Sequence, residues 1–130
     1  MSLALAVKPN SPDLQNVALK ATARIANHWG LTLSEAAALA DMSTSTWKRA
    51  RKPGFAGDIG QDQLLRMSAL TGIYKGLNLY FGEALANTWM TRPNDGPLFD
   101  GARPVDTLIA GGLPAFLRTR GYIDALRGGA

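Results

Sequence analysis

Apolar residues recur at intervals of three and four positions along most of this chain, the spacing that places them on one face of an α-helix. The first such run extends from Leu14 to Ile25 and follows Ser11-Pro12-Asp13. That tripeptide combines a capping residue, a proline at the first helical position and an acid in the first turn. No segment shows a convincing strand pattern, so the sequence predicts an all-α fold.

Helix-end signals divide the N-terminal half of the chain. Ser34 is expected to cap a second helix and Ser43 a third, which ends at Pro53-Gly54. Asp58 and Gln61 are spaced as a capping pair, so they predict the start of a fourth helix after a glycine-rich linker. Residues 1–10 are expected to form a flexible tail.

The C-terminal half continues the helical pattern. An apolar stripe covers residues 64–81, and a break near Gly72 is possible because glycine costs up to ~1 kcal/mol relative to alanine in a helix. Residues 83–90 predict a further helix with Leu85 and Trp89 inward. Two final helices should begin at the prolines of this region, Pro104 and Pro114.

Charge is distributed unevenly along the 130 residues, a length that suits one domain or two small helical units. The net charge is +4. Residues 1–57 hold seven basic and three acidic residues, whereas residues 58–130 hold seven of each sign. A localised basic excess favours a polyanionic partner, and the alternative is a solvated helix end.

Composition narrows the classes of function. The chain has no cysteine and a single histidine, so neither a metal site nor any cofactor is expected. Its paired carboxylates fall at loops or helix starts, which favours capping and gives no catalytic set; we expect a protein that is not an enzyme. No apolar run approaches the ~20 residues of a membrane span, and a cytoplasmic protein without membrane contact is the simplest interpretation.

Residues 34–52 have the pattern of a helix-turn-helix. Small residues at Ala36, Ala37 and Ala40 would allow two helices to cross closely, and Asp41 stands at the turn. Trp47 would hold the second helix against the core. The sequence therefore predicts a DNA-binding module over residues 11–57, with a three-helix core that has no nucleic-acid role as the alternative.

The second helix of this motif carries the candidate DNA contacts. These are Ser43, Thr44, Ser45, Lys48, Arg49, Arg51 and Lys52. Lys48, Arg51 and Lys52 would neutralise phosphates, which makes affinity depend on salt. Arg49 could reach base edges together with Thr44 and Ser45. The hydroxyl groups could equally cap the helix or touch phosphate.

An ordered set of residues follows the helix-turn-helix: Trp89, Pro93, Asn94, Gly101, Pro104 and Gly112, and then a last amphipathic helix. In this order the set resembles the toxin-binding domain of Xre/MbcA/ParS-type antitoxins, which also carry an N-terminal helix-turn-helix. The resemblance implies that these six residues shape a toxin-binding domain over residues 58–130, mainly in a structural role. It also implies a RES-domain toxin as partner, an enzyme that degrades NAD or transfers ADP-ribose from it.

By the same resemblance, the C-terminal region would block the toxin's active site and the N-terminal part would repress the operon. The expected toxin contacts are Arg118, Tyr122, Arg127, Gly128, Gly129 and Ala130. A homodimer on two-fold operator DNA is expected, since one module touches few bases. The alternatives are a plain helix-turn-helix repressor that dimerises through its C-terminal helices and an adaptor whose motif is only a scaffold.

Overall fold

The structure, a computed structural model, describes residues 12–128. This part of the chain forms six α-helices and no strand: α1 Pro12–His28, α2 Leu33–Leu39, α3 Thr44–Ala50, α4 Gln61–Phe81, α5 Glu83–Trp89 and α6 Pro104–Leu126. The predicted all-α fold, with a helix-turn-helix followed by a helical C-terminal part, is confirmed. The expected tail and the expected cap Ser11 lie outside the described residues.

The start of α2 differs from the prediction. Its cap is Thr32 and not Ser34: Thr32 Oγ1 accepts a hydrogen bond from Glu35 N at 3.0 Å, and Glu35 Oε1 accepts one from Thr32 N at 2.9 Å. This reciprocal capping box satisfies two backbone donors that the first turn of a helix leaves free. A single serine at position 34 cannot do both, so the helix begins earlier.

The start of α4 also differs, because Gly60 and not Asp58 stands at its N-cap. Gln63 Oε1 accepts a hydrogen bond from Gly60 N at 2.9 Å, so the predicted pairing of Asp58 with Gln61 is wrong. The possible break near Gly72 does not occur either, since α4 is continuous from Gln61 to Phe81.

The C-terminal helices show two further differences. Leu85 was predicted to point inward, but its side chain is 55% exposed, because the short helix α5 buries only Ala86. The two predicted final helices meet directly at a kink, where Gly112 has φ 66° and ψ −159°. That backbone conformation suits glycine, and Pro114 then starts the second segment, in a first turn where its missing N–H costs nothing.

Helix α4 lies at the centre of the fold and packs against α1, α5 and α6. Helix α1 runs parallel to it: Gln15 near the start of α1 accepts a hydrogen bond from Ile59 N, and His28 at its end bonds Tyr74 Oη at 2.6 Å. One core cluster surrounds Trp47 of the helix-turn-helix, and a second surrounds Phe116 in the C-terminal part. Both clusters include successive turns of α4.

Two glycines one turn apart, Gly72 and Gly76, lie where α4 meets α6. A Cβ atom at Gly76 would lie 2.6 Å from Ile123 Cγ2, and one at Gly72 would lie 2.5 Å from the guanidinium carbon of Arg120. Both distances are shorter than a van der Waals contact. Glycine is therefore required for space at position 76, and this outweighs its lower helix propensity. A side chain at position 72 would only displace the flexible end of Arg120.

Replacing Gly76 with alanine is expected to destabilise the protein by about 1–3 kcal/mol, because the added methyl group would overpack the contact with Ile123. The matched control is Gly121→Ala on α6. Its Cβ would meet no atom within 4 Å, so this variant should gain up to ~1 kcal/mol from helix propensity. Denaturant unfolding of both variants measures the difference, and equal effects would contradict the role given to Gly76.

Candidate functional site

Helix α3 is held at a fixed angle to α2 by a tight turn and a cap. Asp41 in the turn has φ 57°, a left-handed conformation that aspartate tolerates better than most residues. Ser43 Oγ then accepts a hydrogen bond from Thr46 N at 3.1 Å and so caps α3 as predicted. Because this hydroxyl group stabilises the helix end, a role of Ser43 in DNA contact would be additional to its cap.

The buried face of α3 determines which side chains point outward. Trp47 is 1% exposed and Ala50 2% exposed, and both belong to the core cluster that contains Ala36, Ala37 and Ala40. These contacts fix the rotation of α3 about its own axis. The indole of Trp47 therefore serves as a reference for the positions of the candidate DNA contacts.

At about 100° per residue, Arg49 and Ser45 lie about 200° and 160° around α3 from Trp47, on the side opposite the core. Lys48 flanks this face at about 100°, and Lys52 follows two residues after the end of α3. Thr44 and Arg51 lie closer to the core side, at about 60° and 40° respectively. The structure therefore brings Ser45, Lys48 and Arg49 together on the exposed face of α3 and places Thr44 and Arg51 at the edge of this face.

The four cations of this surface are Lys48, Arg49, Arg51 and Lys52, and all are exposed. None of them forms an ion pair with another described residue within 4.0 Å. Acidic residues are absent from α3 itself. The exposed face is consequently a compact basic surface whose charge is available to a polyanion.

An ion-pair cluster joins the helix-turn-helix to the C-terminal part. Arg103 Nη2 donates to Glu35 Oε2 at 2.7 Å, and the same guanidinium bonds both carboxylate oxygens of Asp106 at 2.9 Å. Glu35 belongs to the capping box of α2, whereas Arg103 and Asp106 lie at the start of α6. Sequence reasoning missed this cluster because its partners are 68 positions apart.

The cluster shifts the ionisation of all three groups. The backbone hydrogen bond from Thr32 and the side-chain bond from Arg103 hold the pKa of Glu35 below its ordinary value. The guanidinium of Arg103 likewise lowers the pKa of Asp106, and the two carboxylates raise the pKa of Arg103. All three groups are therefore charged near neutral pH.

Asn94 of the predicted toxin-binding motif closes the loop between α5 and α6. Its Oδ1 accepts a hydrogen bond from Gly96 N at 2.7 Å, and its backbone oxygen accepts one from Gly101 N at 2.8 Å. Asp100 and Gly101 turn the chain with φ 49° and 85°. Pro93 precedes this closed loop and is exposed.

An aromatic cluster supports the same loop. Trp89 and Phe99 meet edge to face at 5.4 Å between ring centroids, and Tyr122 of α6 meets Phe99 at 5.8 Å. Pro104 is buried at the start of α6, and Gly112 lies at its kink. A Cβ there would approach Arg66 Nη2 to 3.3 Å. In this arrangement Tyr122 packs within the domain rather than standing free for a partner.

The predicted toxin contacts on α6 do not form one patch. Arg118 and Tyr122 lie about 40° apart around the helix, but Arg127 lies nine residues beyond Arg118, on the opposite side at about 180°. Arg127 also faces Asp124, with 3.8 Å between Nη1 and Oδ1. Gly128 follows with φ 78°, and Gly129 and Ala130 lie outside the described residues.

A second surface was missed by sequence reasoning. Leu79, Tyr80 and Leu85 are 70%, 47% and 55% exposed around the junction of α4 and α5. Beside them is a pocket of about 230 Å³, whose lining includes Leu85, Trp89 and Pro93. Of these residues only Leu85 is predicted from the sequence to point inward, and the shortness of α5 and its glycine junction are the signals that could indicate otherwise.

Within residues 12–128, no helix is both long enough and apolar enough to cross a membrane. The same residues contain no group of three histidine, aspartate or glutamate side chains that could hold a metal ion. Two surfaces of the described chain are candidate sites for macromolecular partners, namely the basic face of α3 and the C-terminal domain.

Comparisons with known proteins agree with this division. The family model of the antitoxin Xre-like helix-turn-helix domain matches residues 8–72. The model of the antitoxin Xre/MbcA/ParS C-terminal toxin-binding domain matches residues 77–129. The uncharacterized protein y4oB of Sinorhizobium fredii is 37% identical over 113 residues, which cover 85% of this chain and 84% of that protein. The two matched regions meet within α4.

The ion-pair cluster generates a pH prediction. The lowered pKa of Glu35 means that its contribution to stability is complete above the ordinary value of 4.5 and is lost as the pH falls through the folded-state pKa. Glu35→Gln should therefore lower Tm by a few degrees at pH 7, and the difference from wild type should shrink at more acid pH.

Thermal unfolding followed by circular dichroism from pH 3 to pH 7 measures this effect. Glu83→Gln is the matched control, because Glu83 is exposed and has no ion pair among the described residues. This control should leave Tm unchanged at pH 7. A difference between Glu35→Gln and wild type that stays constant across the range would show that the charge of Glu35 is irrelevant.

Proposed function

The chain belongs to the Xre/MbcA/ParS antitoxin family, and we propose that it blocks the active site of a cognate RES-domain toxin and represses the operon of the pair. It carries a helix-turn-helix and a toxin-binding domain, and it is not an enzyme. We assign DNA binding to residues 11–57 and toxin binding to residues 58–130. The observation that carries the proposal is the exposed basic face of α3 in a chain whose other half matches a toxin-binding domain.

The DNA interaction follows from the chemistry of α3. Lys48 and Lys52 are placed to neutralise phosphates, and each such contact contributes a salt slope of about 0.9 on B-form DNA. Arg49 lies on the side of α3 opposite the core, so it is the residue we propose to enter the major groove, with Ser45 beside it. A bidentate arginine–guanine pair gives ~1–3 kcal/mol of discrimination between bases. Thr44, Arg51 and Ser43 would contact the backbone at the edge.

The toxin interaction is proposed to use the C-terminal end of the chain. Residues Gly128, Gly129 and Ala130 are narrow enough to enter a cleft in which branched side chains would clash. Arg118 is exposed on the same helix, and it would contact the rim of such a cleft.

A tail alone is too small for a stable complex, since specific interfaces bury about 800 Å² on each partner. We propose that the exposed apolar residues at the α4–α5 junction contribute to the toxin interface. Leu79, Tyr80 and Leu85 all fall within the region that matches the toxin-binding domain. Arg127 lies on the opposite side of α6 from Arg118. It would therefore contact the toxin only if the toxin surrounds the start of the tail formed by residues 128–130.

Repression is proposed to require a homodimer. A single helix-turn-helix contacts few base pairs, and two-fold operators suit two-fold proteins. Because both proposed partners, operator DNA and the product of the neighbouring toxin gene, are found in the cytoplasm, we propose that the antitoxin acts there.

Reversing the charge of α3 tests the DNA role. The double variant Lys48→Glu with Arg49→Glu should abolish operator binding, because it replaces two attractive contacts with two repulsive ones. Toxin neutralisation should be unaffected. Electrophoretic mobility shifts with operon-upstream DNA over a range of salt concentrations, together with rescue of growth in cells that express the toxin, measure both properties.

The matched control changes the net charge by the same amount elsewhere. Arg92→Glu with Arg118→Glu should retain DNA binding but weaken neutralisation, since Arg118 is a proposed toxin contact. If both double variants lost DNA binding equally, total charge rather than the face of α3 would govern binding. If the α3 variant remained folded but failed to neutralise, the two surfaces would not be separate.

Deleting residues 128–130 tests the tail. The truncated protein should fold with unchanged Tm, because these residues follow the last helix, yet its inhibition of the toxin's NAD consumption should fall by at least about tenfold. An enzymatic assay of the purified toxin with increasing antitoxin measures this effect. Full inhibition at the same stoichiometry would refute the proposed entry of the tail into the cleft.

A further inference from the structure

Helices α1 and α4 leave an open groove of about 570 Å³ between them. Its walls include Val17 and Leu65, which are 65% and 46% exposed. The groove lies mainly in the helix-turn-helix half of the chain and contains none of the predicted DNA or toxin contacts. An exposed apolar groove beside a well-packed core indicates a surface that a partner covers.

The groove carries both large and small side chains. Val17 and Leu65 are exposed on its walls, whereas Ala18 and Ala21 contribute only a methyl group each. In a two-fold interface the same patch of each copy meets itself, so large side chains and the small ones that accommodate them must occur on one surface. This groove offers both.

The ends of the groove carry opposite charges. Because α1 and α4 run parallel, the N-terminal ends of both helices lie at one end of the groove. Asp13 lies one helical turn before Val17 at that end, and Lys75 and Arg120 line the other end. None of these three residues has an ion-pair partner among the described residues.

We propose that this groove is the surface through which a second copy of the chain binds, with the two grooves antiparallel across a two-fold axis at their middle. The acidic end of each copy then faces the basic end of the other, so the same pair of opposite charges occurs twice in the interface. This inference rests on the proposed dimeric repressor and names the surface that the dimer uses.

Two contacts between the helices locate the middle of the groove. Gln15 of α1 lies beside Ile59, and His28 lies beside Tyr74 of α4, so Asp13 lies beside the segment that just precedes α4. Along α4, the point midway between that segment and Lys75 falls between Leu65 and Ser68. Both residues line the groove and are exposed, so the proposed axis passes close to Ser68.

Charge also argues against the chain's own N-terminal segment as the occupant. Residues 1–11 contain the apolar residues Leu3, Leu5 and Val7, but their only charged side chain is Lys8. Folded back along the groove, this segment would bring no acidic side chain to the end that carries Lys75 and Arg120. A second copy instead supplies Asp13 to that end.

The absence of cysteine from the chain allows a direct test. In the purified full-length protein, Ser68→Cys should form a covalent dimer on mild oxidation, because the two copies of this position lie next to the proposed axis. The matched control is Leu79→Cys, since Leu79 is also exposed on α4 but lies beyond the groove. Non-reducing electrophoresis should show the dimer for the first variant only.

Charge exchange supplies a second, independent measurement. Asp13→Lys and Lys75→Glu should each raise the dimer dissociation constant by about tenfold or more in sedimentation experiments, and the double variant should return towards wild type. A general loss of folding would not be rescued by combining the two. Glu83→Lys, which makes the same charge change as Asp13→Lys outside the groove, should have no effect.

Three outcomes would overturn the proposal. Crosslinking of Leu79→Cys in preference to Ser68→Cys would place the dimer interface at the α4–α5 junction. The Ser68→Cys variant could instead stay monomeric, with a thiol that becomes reactive only after deletion of residues 1–7. That result would show that the N-terminal segment occupies the groove. Absence of rescue in the double charge variant would refute the antiparallel pairing.

Toxin inhibition and operator binding, measured on the same variants, show separately whether the proposed function holds.

Discussion

The close approach of α6 to α4 at Gly76 is the constraint on which the rest of the structure depends. Ile123 occupies the space that a side chain at Gly76 would fill, and this contact lets α6 lie directly on the central helix. One turn earlier, the guanidinium of Arg120 lies against Gly72. Without glycine at position 76 α6 would be displaced outward, and with it both the loop that Asn94 closes and the C-terminal end of the chain.

The two functional halves share α4 and are therefore not independent bodies. Leu64 and Met67 belong to the cluster around Trp47, whereas Ile73 and Leu77 belong to the cluster that holds α6. The guanidinium at the start of α6 adds a second connection, since it binds a carboxylate on each side of the junction. Helix α6 is thus connected to the helix-turn-helix by two kinds of contact, the apolar packing along α4 and the ion pair of Arg103 with Glu35.

Local signals in the sequence predicted the features that are decided within a few positions, such as the cap at Ser43 and the buried Trp47 that sets the rotation of the DNA face. Thr32 was missed although its Thr-x-x-Glu spacing was readable, because Ser34 competed with it; a reciprocal pair of hydrogen bonds outweighs a single one. Features with distant partners could not be predicted from local patterns. The ion pairs of Arg103 join segments far apart in sequence, and the scatter of the proposed toxin contacts around α6 emerged only from the structure.

Helix α1 explains how one half of the chain can pair with a second copy and still bind DNA. Leu19 packs in the cluster around Trp47, while Val17 lies about 200° away from Leu19 around α1 and projects into the groove. The surface proposed for dimerisation and the core that positions α3 are thus on opposite sides of the same helix. Pairing through the groove would leave Arg49 exposed in both copies, as a two-fold operator requires.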